Sequence, residues 1–323
     1  MVSKASGTFS QVALIALLLS TGAASIAQVP QAEPLRVNVS VVTVGVRVVD
    51  AKGREVPNLG ADDFRVYEDG VEQQIALFSN EEQPISLGIL LDRSDSMESA
   101  DKFGRAKAAA QLLVDTCHPG SEYLYIPFDA YWSSGEFITD REQIGGIISG
   151  TKLGHGTRLY DAIIAALERS RRAKHGRQAL VVITDGTDQH SSQTLDELVY
   201  AVQESQVQLY TIGYFSRIED DLFRNKGPRI ELINSQWIDN PRMVFKRLAE
   251  ESGAEAFFPK SDIDLQSAVE KISQDLRTQY TLAYYPPNPS QEGKYRRIRV
   301  KLRAKGLTVR ARQGYVIGNK MPR

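Results

Sequence analysis

The chain has 323 residues, 42% hydrophobic and 24% charged, with a formal net charge of −1. These values exclude a disordered polymer, and they give no reason to expect a bulk polyanion such as nucleic acid as partner. With Cys117 as the single cysteine, no intramolecular disulfide is available, so stability must come from buried apolar surface, for which the chain is long enough.

Residues 1–27 read as a secretory signal: Lys4, an apolar core from Val12 to Leu19, then Ser25-Ile26-Ala27, with cleavage expected after Ala27. The apolar core is short for a bilayer crossing. No cysteine sits at the cleavage point to take a lipid, and no long apolar run follows. The expectation is a secreted or periplasmic protein without a membrane span once the signal is removed. Residues 28–83 form an N-terminal β segment. From Leu35 the pattern has period 2, and Phe64-Arg65-Val66-Tyr67-Glu68, Asp69-Gly70 and the run from Val71 to Phe78 give a hairpin with a type I′ turn. Alone, this piece is short for an independent sandwich.

Residues 84–279 alternate strand and helix patterns, which predicts a doubly wound, mostly parallel α/β sheet. Ile85 to Leu91 is an apolar run ending in Asp92, followed by Ser94 and Ser96 at every second position, and helical spacing runs from Met97 to Cys117. Later strands are predicted over Tyr123–Phe128, Glu136–Thr139 and Gln208–Tyr214, with helices over Arg141–Ser149, Leu159–Arg171 and from Thr194. Ser216–Asn240 reads as irregular, ahead of a helix over Pro241–Ser252, a strand over Ala254–Phe258 and a long helix from Asp262. Gln178 to Asp185 is a second apolar strand ending in an aspartate, and Gly156-Thr157 stands just ahead of the Leu159 helix. Strand-to-helix loops are where open α/β sheets place ligands. Asp92, Ser94, Ser96, Thr157 and Asp185 are hard oxygen donors that suit Mg²⁺ and do not suit a thiolate or imidazole metal.

Residues 280–323 return to period 2, with a predicted hairpin turning at Ala304–Gly306. Between Lys294 and Arg312 there are nine Lys or Arg and no Asp or Glu, whereas Asp50–Glu82 is rich in acids. Opposite charges favour cross-strand pairing. The C-terminal segment is therefore expected to pair with residues 35–80 in one small β-sandwich, into which the α/β domain is inserted.

Asp92-x-Ser94-x-Ser96, Gly156-Thr157 before Leu159-Tyr160-Asp161-Ala162, and Ile183-Thr184-Asp185-Gly186 together resemble the von Willebrand factor type A domain over Pro84 to Tyr280. The resemblance implies a metal-ion-dependent adhesion site. Ser94, Ser96 and Thr157 would offer hydroxyls to Mg²⁺ (Mn²⁺ or Ca²⁺ being alternatives), and Asp92 and Asp185 would hold it directly or through water. A protein partner would present an Asp or Glu carboxylate to the remaining position. One departure is Asp95, where the family usually has Gly. The insertion resembles that of integrin β subunits in architecture. The stretches Asp63–Gly70 and Arg312-Gln313-Gly314-Tyr315 resemble signatures of a bacterial secreted family of type A proteins.

An enzyme is the alternative class. His155 and His190 flank the expected mouth and could assist a metal-activated water, but no G-x-S-x-G elbow, His-Glu-x-x-His pair or phosphate loop is present. The expectation is a binding module, with His155, His190 and Asp95 at the rim of the site. Glu219-Asp220-Asp221 is a weaker candidate for a second cation.

Overall fold

The computed structural model describes residues 41–317 except 133–134, 187, 232–234, 236 and 288–292. The signal expected over 1–27 and the start of the first predicted strand lie outside the described residues. Among the described residues, no helix is long and apolar enough to cross a membrane.

Strand β5 (Ser86–Asp92) is buried at all seven positions. It lies between β6 (Glu122–Phe128) and β7 (Gln178–Thr184), parallel to both. With β8 (Gln208–Gly213) and β11 (Ala256–Phe257) they form a five-stranded parallel sheet, order β11-β8-β7-β5-β6. Leu87, Ile89 and Leu91 project to one face, where α1 (Lys102–Thr116), α2 (Arg141–Gly150) and α7 (Asp262–Thr278) cover them. Leu90 projects to the other, against α3 (Leu159–Ser170), α4 (Leu195–Glu204) and α6 (Pro241–Ser252). Each such aliphatic side chain contributes about 1.5–3 kcal/mol on full burial. This is the doubly wound arrangement that alternating strand and helix patterns predict.

The flanking segments build two antiparallel four-stranded sheets. One has the order β14-β1-β12-β4 and comprises β1 (Val42–Val49), β4 (Leu77–Ser79), β12 (Tyr280–Tyr284) and β14 (Thr308–Ala311). The other, β15-β13-β2-β3, comprises β2 (Phe64–Glu68), β3 (Val71–Gln73), β13 (Tyr295–Leu302) and β15 (Gly314–Val316). They share one core that includes Val44, Val46, Val66, Leu282, Tyr284 and Ile298. At its centre Glu68 is buried: its carboxylate accepts from Tyr284 Oη at 2.7 Å and Tyr315 Oη at 2.9 Å, and pairs with Arg296 at 2.8 Å. The acidic N-terminal and basic C-terminal segments thus meet across β2 and β13, and one of the charge pairs is inside.

The Asp69-Gly70 turn joins β2 to β3 with positive φ at both residues, +48° and +87°, the signature of the type I′ turn. Two sequence expectations change here. The run from Val71 to Phe78 divides, β3 staying beside β2 while β4 crosses to the other sheet. Likewise β13 and β14 do not form a hairpin about Ala304–Gly306, because β13 pairs with β2 and β15 whereas β14 pairs with β1. A turn signal fixes a change of direction, not which sheet the next strand joins.

The stretch Ser216–Asn240, expected to be irregular, contains regular elements. Ser216 and Glu219 make a reciprocal capping box on α5 (Arg217–Asn225), and β9 (Arg229–Glu231) pairs with β10 (Trp237–Asp239). The predicted strand over Glu136–Thr139 reduces to a single bridge, Ile138 to Tyr123, before Asp140 caps α2. At the end of α6, Gly253 has φ +81° and lies against the backbone of Arg312, which a Cβ would strike. Gly253→Ala is therefore expected to cost more than about 1 kcal/mol in chemical denaturation; a neutral result would mean that the backbone after β14 does not press on Gly253.

Candidate metal site

Leu91 of β5 and Ile183 of β7 are register partners, so the two strands leave the sheet side by side and carry Asp92 and Asp185 to the same edge. Asp92 is wholly buried. Its Oδ1 accepts from the Ser94 N–H at 2.8 Å and its Oδ2 from the Thr184 hydroxyl at 2.5 Å. Ser94 Oγ lies 3.1 Å from Ser96 Oγ, and Ser96 Oγ donates to Asp185 Oδ1 at 2.7 Å. The third loop delivers Thr157 after Gly156, whose φ of +73° an L side chain rarely adopts. The Thr157 carbonyl accepts the N–H groups of Gln189 and His190 at 3.2 Å, which ties this loop to the one after β7. Asp161 in the first turn of α3 holds the same two loops together by accepting from the backbone of Ser192 and Gln193, each at 3.0 Å.

The convergence has a measure. A Cβ placed on Gly186 would stand 3.6 Å from Asp92 Oδ2, 3.9 Å from Thr184 Oγ1 and 4.0 Å from Thr157 Oγ1. All five residues singled out from the sequence are brought to one rim. Burial pushes the Asp92 carboxyl up to about 6, against the opposing hydrogen bonds from Thr184 and Ser94.

The rim residues also fall here. Asp95 lies in a 3₁₀ turn (Asp95–Asp101) between β5 and α1 and does not have positive φ; the left-handed residue is Asp101, at φ +56°. This turn, ending in the left-handed Asp101, delays the start of the helix from the expected Met97 to Lys102. The Asp95 carboxylate meets His155 Nδ1 at 2.5 Å, and the His155 side chain is 91% exposed. His190 Nδ1 lies 3.7 Å from where a Gly156 Cβ would be. Two residues of the Glu219-Asp220-Asp221 cluster already have partners. Glu219 caps α5, and Asp220 pairs with Arg224 at 2.7 Å and Arg242 at 2.5 Å.

Lys102 is a residue the sequence reading passed over. As the first residue of α1, it places Nζ 2.6 Å from Asp185 Oδ2 and 3.9 Å from Glu219 Oε2, with its side chain 9% exposed. A signal existed: side chains of a helix's first turn project back toward its N-terminal end, which here is the loop carrying Ser94 and Ser96.

The donor chemistry fits a hard divalent cation, since hydroxyl and carboxylate oxygens surround one point and the site already holds an ammonium against Asp185. Among the described residues no group of three or more His, Cys, Asp or Glu gathers as a metal cluster.

A sequence profile of the von Willebrand factor type A domain matches residues 87–271, more than half of the chain. The chain belongs to that family. A search of curated proteins returns no match. Among solved structures, a von Willebrand factor type A protein from Catenulispora acidiphila is similar at 11% identity and TM-score 0.48, over 88% of this chain and 75% of that one. Proximal thread matrix protein 1 of the mussel byssus, described with a zinc-occupied metal-ion-dependent adhesion motif, is similar at 12% identity and TM-score 0.48, over 65% and 50%. The protein BatB from Bacteroides thetaiotaomicron is similar at 17% identity and TM-score 0.45, over 59% and 98%.

Proposed function

We propose that the chain is a secreted, metal-dependent adhesion module that captures an acidic group on a protein partner. One observation carries this reading: oxygens of Asp92, Thr157 and Thr184, far apart in sequence, stand within about 4 Å of a common point beside Gly186, and Ser96 bridges to Asp185 beside them. Asp92, Ser94, Ser96, Thr157 and Asp185 would hold Mg²⁺. When bound, the cation would supply an open coordination position for a carboxylate.

The chain's own residues prepare that position. The Thr184 hydroxyl and the Ser94 N–H fix the Asp92 carboxylate, and Ser96 and Lys102 fix that of Asp185. A partner thus meets a site whose conformational cost is already met by folding. His155 and Asp95 stand exposed at the mouth, where they would contact whatever docks. Exposed Tyr131 adjoins Ala130, whose N–H donates to the His155 carbonyl at 2.9 Å, and adds apolar surface there.

Calorimetry with Mg²⁺ and Mn²⁺ tests the reading. The parent is expected to bind one cation and Asp92→Ala none; equal binding by both would remove the proposed ligand set. The pH dependence has a definite sign. Asp92 must be ionised to take a cation, so affinity is expected to fall as pH drops below about 6. In metal-free protein the same raised carboxyl keeps its proton longer folded than unfolded. Its contribution to stability is therefore full below the unfolded value and declines as pH rises toward about 6.

A further inference from the structure

The end of the parallel sheet away from the Asp92 loop holds a second feature. A cleft of about 420 Å³ lies between β1, β4 and β12 on one side and Pro84 with the turn His175–Arg177 on the other. Small-molecule sites have volumes in this range and favour junctions between substructures. The walls are mostly apolar, with Val41, Leu77, Pro84, Ala283 and Tyr285, and Leu77 and Tyr285 are half-exposed.

Arg177 is part of the lining yet is only 6% exposed. Its Nη2 donates to the Leu276 carbonyl at 2.9 Å. The Gln279 amide, turned with its carbonyl toward the guanidinium, accepts from Nη2 at 3.1 Å and Nε at 3.2 Å. Nη1 is buried with no acceptor among the described residues, and no carboxylate among them is within ion-pair distance of this side chain. Burial lowers its pKa to about 10, opposed only by Tyr210 and Glu82. A buried guanidinium without a counter-charge is costly, and an unfilled buried donor requires an explanation.

We propose that this cleft binds a small organic acid with an apolar tail, its carboxylate paired with Arg177 and its tail against Leu77, Pro84, Ala283 and Tyr285. One guanidinium fork matches one carboxylate. The other polar groups of the lining are the neutral Thr43, Thr281 and Gln83, and His175, whose Nε2 faces the Gly120 carbonyl at 3.1 Å; a phosphate dianion would find no second fixed cation. As the side chain stands Nη1 is shielded, so pairing requires the guanidinium to turn toward the cleft, a movement the charge-assisted bonds to the carboxylate would favour. The cleft shares no residue with the metal-type site, so either reading can fail without the other.

The test is calorimetry of the full chain with octanoate and with 1-octanol. Octanoate is expected to bind with unit stoichiometry and octanol at least tenfold more weakly. Arg177→Met is expected to lose octanoate binding. Because that variant also removes a buried charge, Ala283→Leu, which narrows the cleft and keeps Arg177, is the second variant and is expected to bind at least tenfold more weakly. Asp92→Ala is expected to bind octanoate as the parent does. No binding to the parent, equal binding of octanol, or parental affinity in either cleft variant overturns the proposal. A tripeptide with a free carboxyl-terminal leucine that displaces octanoate at a lower concentration than octanoate itself also overturns it, in favour of a peptide terminus.

Discussion

Asp185→Ala is expected to destabilise the metal-free protein by about 3–5 kcal/mol, the usual cost of stranding one member of a buried ion pair. The size follows from where the partner lies. Lys102 Nζ is 2.6 Å from Asp185 Oδ2, both side chains are buried, and the next carboxylate, Glu219, is 3.9 Å away and 41% exposed. Without Asp185 the ammonium keeps, among the described residues, only that distant partner, and the Ser96 hydroxyl loses its carboxylate acceptor. Adding Lys102→Met removes the stranded charge while keeping the apolar stem, so the double variant should recover most of the loss. Urea unfolding measures this as a shift in midpoint at constant slope. Strictly additive losses would show that the two groups do not interact and that the pair is not a fixed part of the site.

Glu68→Ala is expected to cost a similar amount, about 3–5 kcal/mol, although it lies far from the Asp92 loop. Three groups converge on that carboxylate: the hydroxyls of Tyr284 and Tyr315 and the guanidinium of Arg296. They come from β12, β15 and β13, whereas Glu68 ends β2, so one carboxylate links strands of both sheets. Its removal leaves two buried hydroxyls without this acceptor and takes the counter-charge from Arg296. Glu68→Gln keeps an acceptor and should lose less. A loss below about 1 kcal/mol for Glu68→Ala, again by urea unfolding, would mean that apolar packing alone holds the two sheets together.

Much of the architecture is legible because its causes are local. The strand ending at Asp92 is largely apolar since both of its faces are covered, and β1, β2 and β13 alternate because one face of each is turned away from the shared core. Asp92, Ser94 and Ser96 follow each other on one turn, and Thr157 and Asp185 each stand beside a glycine at an element boundary, so the site is marked in the linear sequence. What stays hidden depends on distant partners. Lys102 looks like any first-turn lysine until β7 places Asp185 over it. Arg177, one residue before a strand, looks like a surface arginine until α7 and β12 cover it. The crossing of β13 into β14 cannot be read from Ala304–Gly306, since the same turn serves a hairpin or a change of sheet. Helix α5 is marked by Ser216 and Glu219, which have the spacing of a capping box, but the acidic run Glu219-Asp220-Asp221 inside it leaves few apolar residues to show a helical period.

Ser79 and Thr281 are register partners on neighbouring strands, one just before the α/β region and the other just after it. The region therefore hangs from two adjacent points, and the Asp92 loop sits at the far end of β5, about 23 Å along a seven-residue strand. Tension applied by a tethered partner would pass down the sheet and arrive at the N-terminal end of β12. Five residue pairs join β12 to β1 side by side, so a pull along the strand loads all of them at once instead of peeling them one after another. The anchorage is thus arranged to resist traction along β12.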